Sequence, residues 1–170
     1  MKRSESREQA FMLVFERSFK EESVDEIIEE AVIGRNLEVD DYAYRLASDV
    51  CDHLPWLDET ITAHSKKWKL NRMSRVALTI LRLSLWEIDN VDTVPVGASI
   101  NEAVELAKKY GSADEAGQVI SDVLDKISGS FGVYGLRVLL DGSDADASAK
   151  QTDALTAAGS VSYTHLRAHE

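Results

Sequence analysis

Apolar residues recur at helical spacing from the start of the chain to about position 128, and nowhere in that stretch do they alternate with a period of two between turn signals. The pattern predicts helices and no sheet. A first helix covers about Ser4 to Phe19, with Ala10, Phe11, Leu13, Val14 and Phe15 as a broad stripe. Ser23 and Glu26 have the spacing of a capping box, in which the hydroxyl accepts from an orphan amide and the carboxylate reaches back. They open a second helix that carries Val24, Ile27, Ile28 and Ala31. Asp40 is the N-cap candidate of a third helix, with Tyr42, Ala43, Leu46, Ala47 and Val50. Pro55 suits a first turn but no helix interior, so a fourth helix starts there and reads on to about Trp68. The fifth follows Ser74 and is apolar nearly all round from Val76 to Trp86, the pattern of a helix at the centre of a bundle. Pro95 opens a sixth, striped by Ile100, Ala103, Val104 and Ala107, and Gly111 is placed to end it in a left-handed C-cap. Ser112 and Glu115 form another capping box before a seventh helix with Ala116, Val119, Ile120, Val123, Leu124 and Ile127. The short connections favour antiparallel packing of neighbours.

The chain divides near Ser128. Residues 129–170 bring five glycines (129, 132, 135, 142 and 159) among Ser, Ala, Asp and Thr, with no sustained period, and read as a flexible tail. Its last ten residues, from Val161 to Glu170, look like translated sequencing-adapter read-through and carry no functional reading. One domain, residues 1–128, is long enough to bury a core without staples. Cys51 is the only cysteine, so no disulfide forms within the chain, which fits a reducing cytoplasm. The N-terminus turns charged at once and does not read as a signal peptide, and no apolar run approaches the roughly 18 residues of a membrane span.

Net charge changes the picture only once its distribution is seen. The total of −11 would repel phosphates. Yet no acid lies between Thr60 and Trp86, where Lys66, Lys67, Lys69, Arg72, Arg75 and Arg82 fall, and Lys2, Arg3 and Arg7 crowd the start of the chain. A basic patch on an acidic body and an ordinary solvated helix face are both compatible with this distribution. Catalytic chemistry finds little support. The histidines form no helical pair with carboxylates, the acidic pairs sit on polar faces or caps, and there is no phosphate-binding glycine loop or Gly-x-Ser-x-Gly. Cys51, beside Val50, reads as a small core residue. No enzyme, metal or cofactor is expected. Recognition remains: Arg7 and Phe15 lie two turns apart on one side of the first helix, and an aromatic ring beside arginines can stack on an unpaired base. From position and type alone, Phe15 reads first as core. Arg82 is the lone charge in an otherwise buried-looking helix, so it pairs with a carboxylate such as Glu87 or emerges beside a ligand.

Two segments are more specific. Trp68-Lys69-Leu70-Asn71-Arg72-Met73-Ser74 leads into Ile80-Leu81-Arg82-Leu83, and that helix ends in Trp86-Glu87. Val94-Pro95 is followed by Ile100-Asn101-Glu102-Ala103-Val104-Glu105-Leu106-Ala107-Lys108-Lys109-Tyr110-Gly111 and, further on, by Val123-Leu124-Asp125-Lys126-Ile127. With Arg7-Glu8-x-Ala10, these resemble the NusB family of transcription antitermination factors, in order and with suitable spacing over about residues 1–128. The resemblance implies an all-α domain of about seven helices in two packed small bundles. It implies binding of boxA-type single-stranded RNA together with ribosomal protein NusE, within an RNA polymerase antitermination complex acting in ribosomal RNA transcription. Matched by position, RNA contacts fall to Lys2, Arg3, Arg7, Phe15, Arg82, Tyr110 and Asp114, and the NusE surface to Trp86 and Glu87. Family members occur as monomers and as dimers, and a homodimer would cover the RNA surface.

The sequence departs from the family pattern in two places. Ser4 and Glu5 interrupt the basic run at the start. Gly117-Gln118-Val119-Ile120-Ser121-Asp122 stands where the family has Lys-Phe-Val-Asn-Gly, so a Lys-Phe RNA contact is absent. Both changes weaken the expected RNA surface and imply greater dependence on the partner. The alternative reading is a protein-interaction module, such as a detached N-terminal domain of an rRNA cytosine methyltransferase. The 42 residues after position 128 hold no cofactor-binding loop, which excludes an intact enzyme of that kind.

Overall fold

The computed structural model describes residues 1–111 and 113–130, with the backbone alone at 113–117, 128 and 130. All regular structure among the described residues is helical: α1 (Arg3–Arg17), α2 (Val24–Arg35), α3 (Asp41–Asp52), α4 (Leu54–His64), a 3-10 turn (Leu70–Arg72), α5 (Arg75–Asn90), α6 (Val96–Tyr110) and α7 (Ala113–Ser130). The local signals act where the polar punctuation falls. The Ser23 hydroxyl accepts from the Glu26 amide while the Glu26 carboxylate accepts from the Ser23 amide, which closes the capping box of α2. Asp40 caps α3 through the amides of Tyr42 and Ala43, and Ser74 caps α5 through that of Ala77.

Two expectations are corrected. The fourth helix stops at His64 rather than near Trp68. In its last two turns Thr60, Thr62 and His64 bond back to the carbonyls four residues earlier, and such side-chain competition weakens a helix end. The chain then turns, so that Trp68 reaches α7, where its indole N–H donates to Asp122 at 3.3 Å. Gly111 does not adopt a left-handed cap; it leaves α6 extended, at φ −108° and ψ −177°, and a two-residue link leads into α7. The left-handed cap belongs instead to Asn36 after α2, at φ 53°. The seventh helix, α7, continues to Ser130. The rest of the expected tail, the side chain of Asp114 and the Ser112–Glu115 capping box lie outside the described residues.

Helices α1, α2 and α3 pack together as one small bundle and α4 to α7 as a second, with α5 against members of both. That central place explains its all-round apolar sequence: Ala77, Ile80, Leu81, Leu83, Leu85, Trp86 and Ile88 are buried toward several neighbours. Helix α1 lies over this junction, against α2, α3 and α5; Arg3, Arg7 and Phe15 sit on it, Arg82, Trp86 and Glu87 on α5, Tyr110 at the end of α6 and Asp114 on α7.

Candidate nucleic-acid interface

One row of side chains organises the site. Arg3, Arg7, Phe11, Phe15 and Phe19 follow one another at four-residue intervals along α1 and its final turn. Four residues overshoot one helical turn by about 40°, so such a row winds slowly round the helix. It starts at the surface with Arg3, dips into the core at Arg7 and Phe11, half emerges at Phe15 and leaves the core at Phe19, which is 60% exposed.

At the buried part, charge is fully answered. Arg7, 9% exposed, donates from Nε to both oxygens of Glu87 at 2.9 Å. Glu87 is 2% exposed and also accepts from the Tyr42 hydroxyl and from Ser99 Oγ at 2.6 Å. α1, α3, α5 and α6 each contribute a member, so the hub ties four helices at one point. Burial, and then the adjacent Glu87 carboxylate, push the Tyr42 hydroxyl well above its ordinary titration range, so it remains a donor. Arg3 lies with its guanidinium 3.7 Å from the centre of the Tyr42 ring, at the mouth of a cleft of about 330 Å³ that also includes Arg45, Asp49, Trp86 and Asn90. Trp86 shows only an edge there. Its ring stacks on His53 at 4.4 Å and meets Trp56 edge-on at 6.5 Å.

At the emerging part, rings replace charge. Tyr110, the last residue of α6, stacks on Phe11 at 5.0 Å; Phe11 stacks on Phe15 at 5.6 Å; and Phe15 meets Phe19 edge-on at 5.0 Å. Glu8 holds the outer end of this ladder, accepting from the Tyr110 hydroxyl and from Lys109 Nζ at 2.5 Å. The Lys109 ammonium, then the Tyr110 hydroxyl, hold the Glu8 carboxyl below its ordinary range, and the same carboxylate raises Tyr110. Phe15 and Tyr110, half-buried and fixed in orientation by the buried Phe11 between them, are rings of the kind that unpaired bases stack on.

The predicted site residues therefore separate. Phe15 and Tyr110 are brought together through Phe11, and Lys2 and Arg3 are exposed at the open end of α1. Arg7 and Glu87 face each other inside the protein. Arg82 turns away from this face and pairs with Asp58, two parallel bonds of 2.7 and 2.8 Å. The acid-free stretch also divides, with Arg82 inward and Lys66, Lys67, Lys69, Arg72 and Arg75 exposed. Lys67, Lys69 and Arg72 line a groove of about 450 Å³ with Trp68 and Met73, beside α7. Glu8, Tyr42, Asp58, Ser99 and Lys109 were not singled out as site residues from sequence. Glu8 and Tyr110 are 102 positions apart, and no local signal joins them. The four-residue row was open to reading and would have led on to Phe19.

A family model describing the NusB family matches residues 4–129. The chain belongs to the NusB family. It is 39% identical over 127 residues to the transcription antitermination protein NusB of an Exiguobacterium strain, covering 75% of this chain and 97% of that protein. To the Bacillus subtilis protein of the same name it is 37% identical, with coverage of 75% and 95%. Among solved structures, T. maritima NusB superposes with a TM-score of 0.64 at 30% identity over 75% of this chain and 90% of that one. A chain from a crystal structure of a plectonemic RNA supercoil gives 0.66 at 27% identity, over 76% and 95%. The NusB-family relatives are transcription antitermination proteins and not enzymes, and this chain is a transcription antitermination factor of their kind. No helix among the described residues is long and apolar enough to cross a membrane.

Proposed function

We propose that this NusB-family chain binds boxA-type single-stranded RNA jointly with ribosomal protein NusE, and so joins the RNA polymerase antitermination complex in ribosomal RNA transcription. The ring ladder from Tyr110 through Phe11 to Phe15, next to the basic start of α1, is the observation that carries this reading. Lys2 and Arg3 take phosphates and fix register, and Phe15 and Tyr110 take bases. Arg7 and Glu87 act from inside: their pair sets the seating of α1 on α5 and so the position of both contact groups. Arg82 and Asp58 brace α5 against α4 in the same way. NusE docks across α5 and α6, and Trp86 meets it from the cleft between α3 and the end of α5. An acidic protein with so small a basic surface has weak affinity for RNA alone, which is why the partner completes the site.

The test is titration of a fluorescent boxA-like RNA with the full chain, with and without NusE, at two salt concentrations. Binding that is tight and salt-sensitive chiefly in the presence of NusE is expected. Phe15→Ala should weaken it by about 1–3 kcal/mol, the usual worth of one base–ring stack. Arg3→Gln should reduce the salt slope by about one. The absence of specific RNA binding with NusE present would refute the reading. Charge reversal at Arg7 or Arg82 is not a clean test, because either would leave an interior or half-buried carboxylate facing another.

A further inference from the structure

The row on α1 does not end at the proposed base-stacking residues. Phe19 continues it, and its environment is unusual for an exposed phenylalanine. Phe15 meets one edge of its ring at 5.0 Å, and the Arg75 guanidinium lies over its face, 4.4 Å from the ring centre. Arg75 is fixed from a second direction, because Nη1 donates to the Ser18 carbonyl at 2.6 Å. A long exposed side chain is thus held in one place by a carbonyl and a ring, with its ordering entropy already spent.

The charge of Arg75 is also left open. Among the described residues it forms no ion pair, whereas the nearby cations Lys20 and Arg35 are both answered by Glu16. It is the first residue of α5, and that helix has no acid in its first turn, so the helix dipole opposes the cation rather than stabilising it. An exposed ring and an uncompensated, pre-positioned guanidinium stacked upon it, continuous with the Tyr110–Phe15 ladder, match the two parts of one nucleotide. The planar guanidinium offers its outer face to a base, and its remaining N–H groups offer donors to a phosphate.

We infer that Phe19 and Arg75 form a further single-nucleotide subsite, which stacks an unpaired base of the RNA beyond the one held at Phe15 and binds the adjoining phosphate. This rests on the RNA-binding reading above and extends it by a defined step along the strand. Guanidinium–ring stacking accepts any base, so the subsite adds affinity and register with little base preference. Neither residue takes part in the Arg7–Glu87 hub or the Glu8–Tyr110 clamp, so those ties of α1 stay in place on substitution, while Arg75 variants lose the bond to the Ser18 carbonyl at its C-terminal end.

The experiment places 2-aminopurine at successive positions of a boxA-like RNA and records its fluorescence in complex with the full chain and NusE. The chains compared are wild type, Phe15→Ala, Phe19→Ala, Arg75→Gln and Arg75→Lys. Thermal unfolding of each checks the fold, and NusE binding is measured separately without RNA. In the wild type, one position next to the Phe15-dependent one should be quenched. Phe19→Ala and Arg75→Gln should release that quench and weaken RNA binding by roughly 5- to 150-fold, the equivalent of one stack. Arg75→Lys should keep the salt dependence but lose the quench, because an ammonium carries the charge without the stacking plane. Wild-type affinity and quenching in Phe19→Ala and Arg75→Gln, alongside a loss in Phe15→Ala, would overturn the subsite while leaving RNA binding in place. A loss of NusE affinity without RNA would overturn it in favour of a protein contact. No RNA binding by the wild type would remove the underlying reading as well.

Discussion

The two halves of the row on α1 solve opposite problems with the same four-residue spacing. Toward its start, Arg7 is a charge carried inside, and it is tolerable there only because Glu87 meets it and Tyr42 and Ser99 complete the carboxylate's bonding. Toward its end, Phe15 is half-buried against the core and Phe19 is brought outward, where burial no longer accounts for it. From residue type alone one would put the arginine at the ligand and the phenylalanine in the core. The helix's drift of about 40° per step reverses that assignment. What a residue does here is decided by its angular position on α1 relative to α3, α5 and α6.

The largest expected effect breaks the buried half. Glu87→Ala leaves the Arg7 charge and the Tyr42 hydroxyl without their acceptor. It should cost about 3–5 kcal/mol of stability, read from the denaturant midpoint, whereas substitutions confined to Phe19 should shift that midpoint little. A loss for Glu87→Ala under about 1 kcal/mol would mean that the hub is not a structural keystone.

A smaller effect is expected where a similar pair sits nearer to solvent. Arg82→Ala removes two charge-assisted bonds to Asp58, whose side chain is 30% exposed, and should cost about 1–2 kcal/mol. If it matched Glu87→Ala, depth of burial would not be what separates the two pairs.

The smallest effect concerns the Glu8 clamp, and it carries a pH signature. The folded state holds the Glu8 carboxyl below its ordinary value of 4.5, so its contribution is present at neutral pH and is lost as pH falls through 4.5 and below. Glu8→Gln should lose well under about 1 kcal/mol at neutral pH, since Lys109 is largely exposed. The difference between variant and wild type should close as the solution is acidified. A gap that widens in acid would assign the opposite sign to the clamp.

Much of this architecture was legible from local pattern. The capping boxes and N-caps at Ser23, Asp40 and Ser74 place three helix starts, because a cap is satisfied within three residues of itself. The end of α4 was not legible. Lys66-Lys67-Trp68 contains no helix breaker, and the turn there serves a bond to Asp122, 54 positions away. Gly111 shows the same limit from the other side: glycine permits a left-handed cap without requiring one. The two specific segments identified the family because their residues lie close together in order along the chain, matching a family model over residues 4–129.

The sequence by itself determined that the chain makes helices, where most of them begin, and which family it joins, since periodicity, caps and motif spacing are properties of neighbouring residues. Only the tertiary structure decided which charges are free to meet a ligand. Arg3, Arg7, Arg75 and Arg82 are chemically alike, and they differ in whether Glu87, Asp58, the Tyr42 ring or the Phe19 ring stands opposite. Those partners come from distant parts of the chain, and the free energy of a guanidinium depends on what replaces its water.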